Sequence, residues 1–248
     1  MPGGSMAALL AVSSFSIFPA LSVFAGGALT LIRTPGKSVQ SAVQHLAAGL
    51  IFCVLATELL PDLMHRHMPV WTVLGFSLGV AVMLGVKHFF EGGDASATST
   101  TASADNNSSM VAAMGIDVAL DGLLIGLGFA AGQKQGVLLT LALSLEVFFL
   151  GLACSTTLAA NGASRRRVLM VPLMLGGLLL AGGAVGAVAA AALAAPALDA
   201  LLAFGVAALL YLVTEELLVE AHEVPEKPAQ TAMFFVGFIV LFIVDMLL

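Results

Sequence analysis

The sequence predicts an all-α polytopic membrane protein with eight transmembrane helices. Hydrophobic residues make up 60% of the 248-residue chain and charged residues 10%, with a mean hydropathy of +1.07. A water-soluble domain could carry that balance only by exposing large apolar patches. The apolar runs are about twenty residues or longer and lack the ten-residue alternation of barrel strands, so helices satisfy the backbone in lipid.

The runs fall at 7–32, 41–63, 70–90, 110–132, 136–160, 167–194, 197–222 and 230–248, within a single transmembrane domain covering 1–248. Arg33-Thr34-Pro35-Gly36-Lys37 separates the first two, and the apolar stretch after Met6 is too long for a cleaved signal peptide. Trp71 opens the third run as an interfacial anchor. The connection 91–109 is rich in Ser, Thr, Ala, Asn and Asp and is expected to be a flexible cytoplasmic loop. Gln133-Lys134-Gln135-Gly136, Arg165-Arg166-Arg167 and Glu223-Val224-Pro225-Glu226-Lys227-Pro228 mark later boundaries. The least marked break is Ala195-Pro196, where a kinked continuous segment is the alternative.

If connections alternate sides, Arg33, Lys37, Lys87, Arg165, Arg166, Arg167 and Lys227 share one face and Arg66 and Lys134 the other. The positive-inside rule makes the first group cytoplasmic, which puts both termini outside a cell (inner) membrane. Cys53 and Cys154 read as free buried thiols, with a soft metal ligand as the alternative. His45 and His88 near inner helix ends, and His65 and His67 near an outer one, read as solvated or capping residues, with a transit ligand as the alternative.

Three carboxylates interrupt the apolar runs. Asp117 and Asp121 lie four residues apart and therefore on one face of the fourth span; Glu146 lies in the fifth. A charge at the bilayer centre costs roughly 2.5 kcal/mol or more, so such acids face a partner, a cavity or a cation. Asp121 and Glu146 are about equally far from the turn between their spans, which brings them to similar depth. Oxygen ligands suit divalent cations such as Mg²⁺, Mn²⁺, Zn²⁺ or Cd²⁺. Gly122, Gly126, Gly128 and Gly132 follow at a spacing that lets a neighbouring helix approach closely.

A second pattern is internal. Glu58-Leu59-Leu60-Pro61-Asp62 in the second span echoes Glu216-Leu217-Leu218-Val219-Glu220 in the seventh, with Glu215 preceding the latter. The two spans run in opposite directions, as an inverted repeat relating spans 1–3 to 6–8 requires. Glu58 and Asp62 then approach the outer mouth, and Glu216, Glu220, His222 and Glu223 the inner one.

These residues resemble the ZIP family of metal transporters. The fourth-span stretch Asp117-Val118-Ala119-Leu120-Asp121-Gly122 is similar to the family's His-Asn-x-x-(Asp or Glu)-Gly, with Asp117 in place of His and Val118 in place of Asn. Glu146 followed by Leu150-Gly151 is similar to the fifth-span motif, without its second carboxylate. The resemblance implies eight spans in a 3+2+3 arrangement, both termini outside, and a divalent metal carried by alternating access. No prosthetic group is implied, only a transported ion of uncertain identity. An all-carboxylate set is harder than one with imidazoles and less selective for zinc. The substrate therefore stays open between a divalent metal and an organic cation such as a polyamine. A non-transporting structural membrane protein is a further alternative. An intramembrane enzyme is not expected, because neither a two-helix Asp pair nor His-Glu-x-x-His is present. Expected partners are the cation and the lipid bilayer, with a homodimer left open and nothing pointing to nucleic acid.

Overall fold

Apolar runs bounded by Pro, Gly and Arg become long helices, and the computed structural model describes residues 2–32, 35–91, 102–222 and 227–248. The elements are α1 (Pro2–Leu29), α2 (Lys37–Val54), α3 (Leu60–Arg66), α4 (Pro69–Glu91), α5 (Ala102–Ala131), α6 (Gln133–Ala160), α7 (Arg165–Ala192), α8 (Ala195–Tyr211), α9 (Leu218–Ala221) and α10 (Pro228–Leu247). Among the described residues there is no strand. Two wide π-helical turns, Leu55–Leu59 and Leu212–Leu217, join α2 to α3 and α8 to α9. Among the described residues, seven stretches are long and apolar enough to cross a membrane: Lys37–Arg66, Pro69–His88, Ser108–Ala131, Gln133–Ala160, Arg165–Ala192, Ala195–Ala221 and Pro228–Leu247. The run expected at 7–32 falls on α1, whose described apolar stretch is the shorter Ser14–Leu29. Of the connection 91–109, residues 92–101 lie outside the described residues, and α5 already begins at Ala102. Glu223 and Glu226 also lie outside them.

Local chemistry sets the breaks. Leu193 is extended (φ −80°, ψ 144°) and Pro196 occupies the first turn of α8, so the chain breaks between α7 and α8 instead of continuing as one kinked helix. His67 ends α3 in the left-handed conformation (φ 53°). Ser164 caps α7, its hydroxyl accepting from the Arg167 backbone N–H at 3.3 Å. Pro172, inside α7, has no N–H for the carbonyl of Val168; the Ser155 hydroxyl of α6 donates to that oxygen instead, at 3.1 Å. The wide turns are matched in the same way. Thr57 Oγ1 donates to the Cys53 carbonyl at 3.0 Å and Thr214 Oγ1 to that of Leu210 at 2.8 Å, each at the entrance of a π turn.

Helix pairing follows the glycines. α5 packs along α7, α1 along α6 and α7, α2 along α10, and α4 along α8. A Cβ on Gly122 would collide with the Leu179 carbonyl, one on Gly186 with that of Leu123, one on Gly75 with that of Ala200 and one on Gly49 with that of Phe234. These glycines therefore permit backbone-to-backbone approach, the main packing device in lipid. Ile51, Leu55, Ile125, Leu139, Leu143, Leu179 and Leu209 fill the centre. The outside is apolar as well: α7 exposes Leu173, Met174, Val185 and Val188, and α10 exposes Phe235, Val236, Ile239, Val240 and Ile243, faces suited to lipid. Cys53 and Cys154 are free and buried, and Trp71 is partly exposed at the start of α4.

Candidate metal centre

The α5–α6 hairpin turns at Gly132, so residues equally far from that turn face each other across two antiparallel helices. Asp117 and Asp121 come from consecutive turns of α5 and Glu146 from α6, and each offers a carboxylate oxygen; these oxygens lie within 4.8 Å of one another. Two oxygens on one cation, each at 2.0–2.6 Å, are separated by at most about 4–5 Å. The spacing therefore matches a single ion. Asp121 and Glu146 are each 2% exposed, and Asp117 is half-buried. Asp117 Oδ2, Asp121 Oδ2 and Glu146 Oε2 are buried with no hydrogen-bond partner. An orphaned carboxylate oxygen in an apolar interior carries a desolvation cost that a bound cation removes.

A cavity of about 470 Å³ runs from Asp117 and Glu146 to Gln44, Lys87, Ser109 and Glu220. Asp121 is not part of the lining. Glu215 and Glu216 stand on its wall, so the seventh-span acids share the cavity with Asp117 and Glu146. Glu220 Oε2 accepts from Gln44 Nε2 at 2.5 Å, and Glu215 pairs with Lys87 Nζ at 3.7 Å. The lysine also lies 5.9 Å from the Tyr211 ring centroid.

The second-span acids lie elsewhere. Glu58, 9% exposed, pairs with Lys134 Nζ at 3.3 Å, and Asp62 pairs with Arg66 one turn on, at 3.0 Å. Neither lines the cavity. Glu58 and Glu216 nonetheless hold equivalent places, each the last residue but one of its wide turn.

The profile of the ZIP zinc transporter family matches residues 91–245. The chain belongs to that family. No curated protein matches it significantly. As a ZIP member it is a multi-pass membrane protein that transports metal, its divalent ion is cargo and not a prosthetic group, and the family consists of transporters, not enzymes.

Sequence reasoning missed two buried acids of this ZIP protein. Asp199 is 0% exposed; its Oδ2 accepts from Thr72 Oγ1 at 2.8 Å, which links α8 to α4. Asp245, 9% exposed, lies 2.8 Å from Lys134 Nζ. Each is a lone acid near a helix end with no motif around it, and only their unlike partners on distant helices reveal them. His45 is a correction. Expected to be solvated or capping, it is 1% exposed because α9 covers it, with Ser41 Oγ donating to the Ala221 carbonyl at 2.7 Å. At two of the positions where the motif departs from the ZIP pattern, Val118 is fully buried in the apolar core and Leu150 lines the cavity wall.

Proposed function

We propose that this ZIP protein carries a divalent cation across a cell (inner) membrane through a central site of Asp117, Asp121 and Glu146. The observation that carries the reading is the convergence of three carboxylates, each with a buried unpartnered oxygen, two of which, Asp117 and Glu146, line a cavity. Glu215, Glu216 and Glu220 line access from one side, and Glu58 and Asp62 belong to the other. The residues at the cavity opening, Gln44, Lys87 and Glu220, lie at helix ends that the positive-inside rule assigns to the cytoplasm, so the conformation faces inward with both termini outside. Eight spans in a 3+2+3 arrangement fit the pairing. Exchanging spans 1–3 with 6–8 and 4 with 5 maps α5–α7 onto α6–α1 and α2–α10 onto α8–α4. Alternating access then moves one bundle against the other around the central site.

The three oxygens discriminate less among Zn²⁺, Mn²⁺ and Cd²⁺ than a site with imidazoles would. The test is a thermal-shift series on the purified protein with each metal and with polyamines, repeated on Asp117→Asn, because a ligand of the folded state raises its stability. Stabilisation by a metal in wild type and its loss in the variant is the expected result. Stabilisation by amines alone would overturn the substrate, and no stabilisation by any cation would overturn the site.

A further inference from the structure

His45 has no role in the central site, yet it holds one of the few buried polar atoms without a partner among the described residues. Its Nδ1 lies 2.8 Å from the Ser41 carbonyl. A carbonyl only accepts, so Nδ1 carries the hydrogen and Nε2 presents its lone pair. That Nε2 is the orphaned atom. His222, exposed at the end of α9, is held by the same bond, Nδ1 donating to the Leu218 carbonyl, and so takes the same tautomer. A backbone carbonyl on one ring nitrogen is the usual way a histidine is oriented to ligate through the other.

We propose that His45 and His222 form a second metal-ion site at the inner mouth of the cavity, which receives the ion after Asp117, Asp121 and Glu146. The proposal rests on the transport reading only in treating that ion as cargo. The two ring centroids are 5.2 Å apart, with planes at 64°. Two imidazoles on one tetrahedral zinc, with Zn–N at about 2.0–2.1 Å, have centroids roughly 5 Å apart. Two straps fix the pair. Ser41 Oγ bonds the Ala221 carbonyl, and Gln44 Nε2 bonds Glu220 Oε2, so the residues beside each histidine tie α2 to α9. Gln44 and Glu220 both line the cavity, so α2 and α9 carry the imidazole pair beside it, with neither ring in the lining itself. His65 makes the same backbone bond, to the Pro61 carbonyl, but its ring is exposed and neither of its nitrogens is among the buried unpartnered atoms. Imidazole favours zinc, cobalt and nickel over magnesium, calcium and manganese, so this pair adds the selectivity that three carboxylates do not supply.

The test is metal stoichiometry on the full chain in lipid nanodiscs, with Zn²⁺ for counting and Co²⁺ for its ligand-sensitive visible spectrum. Wild type is expected to bind two ions. His222→Ala, a change at an exposed side chain, and His45→Gln each remove one ion and the Co²⁺ band of the imidazole site. Asp117→Asn with Glu146→Gln removes the other ion and keeps that band. Two ions and an unchanged spectrum in His222→Ala would overturn the proposal, as would a single ion lost only with the acids. A single ion lost only with the histidines would retain the histidine site and sink the central one.

Discussion

Lys134 Nζ lies 2.8 Å from Asp245 Oδ1 and thereby ties the first turn of α6 to the last turn of α10. The same ammonium reaches Glu58, in the wide turn beyond α2, at 3.3 Å. Three segments distant in sequence thus meet at one cation, on the side of the bundle away from the cavity opening. The acids are buried while the lysine is 40% exposed, so the lysine is what keeps both carboxylates compensated.

Removing that cation leaves two buried acids facing each other. Lys134→Met is expected to lower the thermal unfolding midpoint in detergent, and adding Glu58→Gln and Asp245→Asn to recover most of the loss. A single variant as stable as wild type would show that the clamp contributes nothing.

At the central site, the expected consequence of Asp117→Asn or Glu146→Gln is a drop of roughly tenfold or more in metal uptake at normal expression, because an amide oxygen lacks the negative charge that a carboxylate sets against a divalent ion. Asp117→His restores the donor type that the ZIP motif carries at this position. Uptake then continues, with the preference for zinc over manganese raised by about tenfold, a change of ~1.4 kcal/mol. Competition assays with both metals decide it; an unchanged ratio would remove Asp117 from the coordination sphere.

Packing makes a sharper contrast. Any side chain at Gly122 meets the Leu179 backbone of α7, so Gly122→Val is expected to abolish the α5–α7 contact and the yield of monodisperse protein. Gly177, on α7 as well, has open space where a methyl group would stand, with nothing within 4 Å, and Gly177→Ala should be neutral or stabilising by up to about 1 kcal/mol. Size-exclusion profiles of the two variants are the check.

Thr72→Val removes the donor from Asp199 Oδ2 inside the α4–α8 contact. A buried acceptor that loses its partner costs about 1–3 kcal/mol, so the unfolding midpoint falls while the affinity of the central site for metal is unchanged. A loss of metal binding at unchanged stability would instead place Asp199 in the transport path.

Orientation is checked by labelling. Ala153 lines the cavity, whereas Cys53 and Cys154 are fully buried. Ala153→Cys should react with an impermeant maleimide added from the cytoplasmic face of inverted vesicles and be protected from the outside. The reverse pattern would invert the topology.

The helices were legible because lipid permits few alternatives to a twenty-residue apolar run, and Asp117, Asp121 and Glu146 stood out because acids within such runs are costly. The echo between Glu58 and Glu216 was visible as letters, but not that both sit in a widened turn, since no residue type encodes a π turn by itself. Lys134 was readable only as a topology marker. Its role comes from Glu58 and Asp245, which lie 76 and 111 positions away in the chain, and pairings at that range leave no local pattern. The burial of His45 was illegible for the same reason: what covers it is a four-residue helix at the far end of the sequence.

The two widened turns give each arm one residue of slack. Such a turn can migrate along its helix by exchanging one backbone bond for the next, which rotates the residues it passes by about 100° while the helix on either side keeps its phase. Glu58 and Glu216 ride on these turns, so either carboxylate can swing between neighbours while the ends of its span stay at fixed depth in the bilayer.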